Sequence, residues 1–219
     1  MTDDLATAEP PPADSAGRLA AYGMGACWTW YQVLAAQADR LADSGFVPEG
    51  YVFVIALRNL RRAAALVAST LTRDEDQQAA AAALAEFDRA LPGSKQTRDI
   101  IEHFDDYARG AGALQRQQQR QRDGVEPEPV RFPVAAEVRP ASGGGRQLVL
   151  CVGEFAVPVA DATTAACLLM ADMHAASHPD PAYTPAWTRA ALCDGAAHGL
   201  IPDRPHATDP LPLRDPVVG

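Results

Sequence analysis

No uninterrupted run of about 18 to 20 apolar residues occurs in this 219-residue chain, so a membrane-spanning helix has no support in the sequence. Nor does a basic segment followed by an apolar core open it, which argues against a secretory leader; a cytoplasmic protein without membrane association is expected. Cysteine is scarce: Cys27, Cys151, Cys167 and Cys193 lie far apart, without a CxxC pair, among apolar or small neighbours. That setting predicts buried, reduced thiols rather than disulfides or metal ligands. Positive charge is also in short supply, the formal net charge being −9, whereas a surface that grips nucleic acid by its phosphates normally needs a basic patch. The local exception is QRQQQRQR, where Arg116, Arg120 and Arg122 stand among glutamines with no acid. It reads as a solvated linker or a frayed helix extension before it reads as an RNA-contacting strip. Gly143 to Gly145 lack the lysine and the strand-to-helix setting of a phosphate loop, and neither a GxSxG elbow nor a Ser-His-Asp order is found. His174 and His178 could offer two imidazoles to zinc, with Asp180 just beyond. Pro179 interrupts the helix there and no third ligand is in view, so a frayed helix end is expected, with no metal and no cofactor.

What is present divides the chain near residue 125, helical before it and mixed after it. Residues 1–17 combine acids, proline and small side chains and read as a disordered arm; residues 202–219 read as a proline-rich tail. Between them the expected fold is mainly α, a four-helix bundle core (about 18–110) followed by a small β-hairpin or sheet with one or two covering helices. In domain terms this gives a bundle over 18–112, a polar linker over 113–128 and a β-plus-helix subdomain packed on the bundle over 129–201. The first helix runs from Arg18 to Ser44 with Gly45 as its stop, on an apolar stripe of Leu19, Tyr22, Cys27, Tyr31, Leu34 and Leu41. Trp28 and Trp30 flank that stripe and mark the helix as the packing spine. Pro48-Glu49 opens a second, largely apolar helix that Arg58, Asn59, Arg61 and Arg62 interrupt. Asp74 caps a third, alanine-rich helix that ends at Leu91-Pro92-Gly93. Ser94 caps a fourth from Lys95 to Arg109, with Gly110 and Gly112 as its stop. Later, RFPVAAEV, RQLVLCV and EFAVPV alternate as strands, the last two joined by Gly153-Glu154 as a hairpin. Asp161 opens an amphipathic helix through ATTAACLLMADMHAA, and Thr184-Pro185 a short one.

The fourth helix carries RDIIEH, from Arg98 to His103. Ile100, Ile101, Phe104, Tyr107 and Ala108 fall on its core side, which leaves Arg98, Asp99, Glu102, His103, Asp105 and Asp106 on the remaining arc. At about 100° per residue, Arg98 and His103 stand roughly 140° apart and share no ridge. Two readings follow. In one, Arg98 pairs with Glu102 and Asp99 with His103, each at the four-residue spacing of an ordinary charged helix. In the other, His103 transfers protons near neutrality while Arg98, charged at all pH, steadies a phosphate at the helix start. Together these outline metal-independent RNA cleavage.

The arginine, the polar residue after it and the histidine, with four residues between the ends, resemble the motif of the HEPN superfamily. The resemblance covers at most residues 18 to 112. It implies an all-helical bundle, a homodimer formed around the motif helices and, in active members, endoribonuclease action in toxin-antitoxin or phage-defence settings, with Arg98, Asp99 and His103 as the catalytic set. The carboxylates Asp99, Glu102, Asp105 and Asp106 would repel RNA and hold Arg98 in local ion pairs. The expectation is therefore an interaction or regulatory module, dimeric and with an RNA or protein partner; the endoribonuclease is the alternative.

Overall fold

The structure is a computed structural model that describes residues 13–45, 47–103, 106–107, 109, 111–121, 134–141, 144–178, 189 and 193. Its elements are α1 (Ala13–Ser44), α2 (Val47–Thr70), α3 (Asp74–Ala90), α4 (Ser94–Glu102), α5 (Ala113–Gln121), β1 (Val134–Pro140), β2 (Arg146–Val152), β3 (Phe155–Pro158) and α6 (Val159–Ser177). The protein is mainly helical with one small antiparallel sheet in the order β1-β2-β3, the class expected from the sequence.

The helices form where apolar side chains recur at helical spacing. On α1, Cys27, Leu34 and Leu41 are spaced by seven residues, two turns, and all are buried. On α2, Phe53, Leu57, Leu60, Ala64 and Val67 keep to steps of three and four. The two helices form an antiparallel hairpin turned by Gly45 at φ +60°, whose amide donates to the Leu41 carbonyl at 2.9 Å. They approach closely at Gly23, where a Cβ would lie 2.8 Å from Val67 Cγ2. Of the two tryptophans expected to flank the stripe, Trp30 packs against the core and Trp28 does not. Trp28 is 39% exposed, Tyr22 is 71% exposed and Leu19 is also on the surface, because the buried line on α1 is the narrower one through Cys27.

Several boundaries differ from expectation. α1 begins at Ala13, inside the stretch read as an arm. The cap position of α3 is Arg73 rather than Asp74, with no side-chain cap hydrogen bond; Arg73 donates to the Asp76 carboxylate at 2.5 and 2.9 Å, and Asp74 lies in the first turn beside the positive helix end. α4 starts at Ser94 itself after Gly93 at φ +91°, and stops at Glu102, seven residues before Arg109. Part of the supposed polar linker is α5, at whose start the Gln115 side-chain carbonyl accepts from the Gly112 amide at 2.9 Å, the backbone half of a capping box. Asp161 lies in the first turn of α6, whose cap position is Pro158. The short helix expected after Thr184 lies outside the described residues, apart from Arg189 and Cys193.

Strand β2 is the centre of the sheet, paired with β1 from Val134↔Val152 to Pro140↔Arg146 and with β3 from Val149↔Pro158 to Val152↔Phe155. The Gly153-Glu154 turn works as expected, with Gly153 at φ +59°. α6 is buried on nearly every side and packs against α1, α2, α3 and the sheet. Leu150, Val152 and Val157 therefore belong to the same continuous core as Leu34, Phe53 and Leu169. Gly50 on α2 keeps that junction close, since any Cβ there would run into the buried Leu150 side chain.

Two cysteines depart from the expected reduced state. Cys167 on α6 is disulfide-bonded to Cys193, with Cα atoms 5.8 Å apart, while Cys27 and Cys151 are free and buried. An apolar neighbourhood suits a half-cystine as well as a thiol, and the 26-residue separation hid the partnership from the sequence. Burial pushes the Cys27 thiol from its ordinary 9.0 up to about 12. Since the folded value lies above the unfolded one, the neutral thiol's contribution is complete below pH 9 and is lost as pH rises from 9 toward 12. Cys27→Ala should therefore flatten the alkaline fall in stability by about 1.4 kcal/mol between pH 8 and pH 10. Urea titrations of both proteins across that range measure it; parallel pH profiles would refute it.

Candidate functional site

The site is built where α4 crosses α2 below β3. Arg58 on α2 reaches across to form an ion pair with Glu102 on α4. Arg98, one turn before Glu102, lies 3.9 Å from the same carboxylate by its Nε and 3.7 Å from Asp99 by Nη2, contacts too long for hydrogen bonds. The expected Arg98–Glu102 pairing is therefore present but loose, with Arg58 as the closer partner. Burial pushes the Arg58 guanidinium below its ordinary value, and the positive charges of Arg62 and Arg98 add to the effect.

Asp99 does not serve the His103 ring. Its carboxylate accepts a hydrogen bond from the Tyr107 hydroxyl at 2.9 Å, and the same hydroxyl accepts from the Leu114 amide at 3.3 Å. Tyr107 is fully buried, and its ring packs over Gly112, where any Cβ would collide with it. Gln115, also buried, donates from Nε2 to the Tyr107 carbonyl at 3.1 Å. Gly112 is thus the seat of the tyrosine ring rather than a simple helix stop. His103 is the C-terminal cap of α4, at φ −118° and ψ 36°; its backbone amide donates to the Asp99 carbonyl at 3.0 Å while its side chain is exposed.

Arg98 also lines an open groove of about 540 Å³ between α2, the α3–α4 turn and the start of α4. Arg58, Arg61 and Lys95 share this groove with it, and among the described lining residues Asp88 is the one carboxylate. Arg61 holds that carboxylate through two hydrogen bonds of 2.6 Å. Val54, Phe87 and Val157 form an apolar wall. His103 is not among the described residues that line this groove.

Sequence reasoning singled out Arg98, Asp99 and His103 but missed Arg58, Arg61, Lys95 and Thr97. Their signal was visible in part, since arginines that interrupt an otherwise apolar helix need somewhere to go. The segment with Arg116 is helical, and its guanidinium donates back to the Ala111 carbonyl. His174 and His178 stack with ring centroids 5.5 Å apart, and among the described residues no cluster of three or more metal-ligating side chains occurs. Asp180 lies outside the described residues. Among the described residues no helix is long and apolar enough to cross a membrane. Comparison with family models, with curated proteins and with solved structures finds no match to the chain.

Proposed function

We propose that this chain is a HEPN-like helical protein that acts without catalysis, as an interaction or regulatory module, and that it forms a homodimer through the outer face of the α1–α2 hairpin. The observation that carries the reading is the exposed apolar cluster on α2, where Tyr51, Val52 and Ile55 are each 37–39% exposed within little more than one turn. Trp28 adds a further partly exposed indole on α1, its ring 6.1 Å from that of Tyr31. Apolar side chains grouped on a surface mark an association site when they are contiguous, and a second copy would present the same patch in return. The absence of catalysis is supported by Arg98 standing beside Glu102 and lining the groove while His103 caps the end of α4. A cytoplasmic location completes the proposal; there the Cys167–Cys193 bond would be open to reduction.

One observation favours the endoribonuclease reading: His103 is exposed and Arg98 borders an open groove. Sedimentation and an RNA cleavage assay separate the two. The wild-type chain should be a dimer, and the Val52→Glu/Ile55→Glu double variant should weaken self-association by at least about thirtyfold while keeping its helical signal. A monomeric wild type would end the dimer proposal. Cleavage by the wild type that both Arg98→Ala and His103→Ala abolish would establish the nuclease instead.

A further inference from the structure

We infer that the groove at the start of α4 binds a small phosphate monoester, its phosphate held by Arg58, Lys95 and Arg98 and its apolar body lying against Val54, Phe87 and Val157. The inference is independent of self-association. A chain of net charge −9 gathers four cations, Arg58, Arg61, Lys95 and Arg98, around one groove; among the described lining residues Asp88 is the one carboxylate, and Glu102 pairs with Arg58 from outside that lining. Asp88 is already taken by Arg61. Lys95 is exposed and makes no ion pair among the described residues.

Unsatisfied donors gather at the same place. Thr97 is fully buried and lines the groove, yet its hydroxyl has no hydrogen-bond partner. The Nε–H groups of Arg58 and Arg98 are likewise buried and make no hydrogen bond, that of Arg98 standing 3.9 Å from Glu102. Buried polar groups are satisfied in nearly all folded proteins, so three orphans around one groove need an explanation. An anion supplies it. The start of α4 contributes further: the Ser94 amide donates to the Leu91 carbonyl and the Thr97 amide to the Gly93 carbonyl. The amides of Lys95 and Gln96 are left with no backbone acceptor among the described residues.

The donor set selects the chemistry. Two guanidinium groups, a hydroxyl and two amides offer more hydrogen bonds than one carboxylate can comfortably accept, whereas the terminal oxygens of a phosphate monoester can spread over all of them. Glu102 holds Arg58 in an ion pair and stands more loosely beside Arg98, as does Asp99, and Lys95 makes no ion pair with either. The apolar wall opposite gives a phosphorylated molecule with a flat or apolar body an advantage over the free ion. A volume near 540 Å³ is in the range of small-molecule sites.

Calorimetric titration of the full chain with inorganic phosphate, adenosine, adenosine 5′-monophosphate and a single-stranded RNA tests this. The monophosphate should bind saturably, inorganic phosphate more weakly and adenosine not measurably. Lys95→Glu and Arg98→Gln should each weaken the monophosphate by about tenfold or more. Thr97→Val, which keeps the side-chain shape, should weaken it severalfold with an unchanged melting profile. No saturable binding of either phosphate at millimolar concentration, or equal affinity in Lys95→Glu, would overturn the site. Free phosphate binding as tightly as the monophosphate would overturn the role of the apolar wall. RNA binding more tightly than the monophosphate, and lost in the same variants, would overturn the small-molecule assignment. Because Lys95→Glu leaves the α1–α2 face untouched, its sedimentation should match the wild type, and a failure of either proposal is told apart from failure of the other.

Discussion

Tyr107→Ala should lower stability by about 3–5 kcal/mol, the range for deleting a large buried aromatic side chain. It should also remove part of the helical signal. Tyr107 is 1% exposed and fastens three pieces at once: its hydroxyl holds the Asp99 carboxylate, its backbone carbonyl accepts from Gln115, and its ring rests on Gly112. α5 has nine residues, of which only Ala113 and Leu114 are apolar, and is too short to persist in water without such an anchor. Tyr107→Phe separates the hydroxyl from the ring and should cost only about 1–2 kcal/mol, because the ring packing survives. Urea denaturation with circular dichroism reads both. Equal losses for the two variants would show that the hydroxyl, not the ring, is the anchor.

Cys193→Ala should lower stability by about 3–4 kcal/mol under oxidising conditions, the chain-entropy value for a closed loop of 26 residues. The bond ties the end of the chain's described part to α6, and a second tie lies beside it: Arg189 donates two hydrogen bonds, 2.7 and 2.6 Å, to the Asp172 carboxylate on the same helix. Arg189 is too exposed for that ion pair to replace the covalent link. Reduction of the wild type should reproduce the variant's denaturation curve, and Cys167→Ala should match Cys193→Ala. A variant as stable as the oxidised wild type would refute the bond's contribution.

The helices and strands of this protein were legible because their apolar residues keep the periods of 3.6 and 2 over many residues. α2, β2, β3 and the Gly153-Glu154 turn follow the sequence closely. What was not legible depends on long-range packing. Trp28 was read as flanking the packing stripe because size and hydrophobicity are local properties, while the face of α1 that meets α2 is the one with Gly23 against Val67. The end of α4 was placed too late for a similar reason: the apolar periodicity continues through Tyr107, but the tyrosine turns back to reach Asp99. The candidate site was half visible. RDIIEH pointed to Arg98 and Glu102, whereas Arg58, 44 residues before Glu102, joins them only when α2 and α4 cross. Four cations from two helices make a basic groove that no contiguous stretch of sequence displays.

The rim of the small sheet has a consequence for how the protein behaves when crowded with copies of itself. Among the described residues no strand pairs with the outer side of β1, so its outward backbone groups have no ladder partner there. Three of its seven residues are Glu137, Arg139 and Pro140, and the first two hold each other at 2.8 Å. Charges and a proline on such a border discourage a stranger's strand from adding itself and growing a fibre. Val138, 54% exposed between the two charges, is the weak point: exchanging Glu137 and Arg139 for valine would turn this border into a template for aggregation.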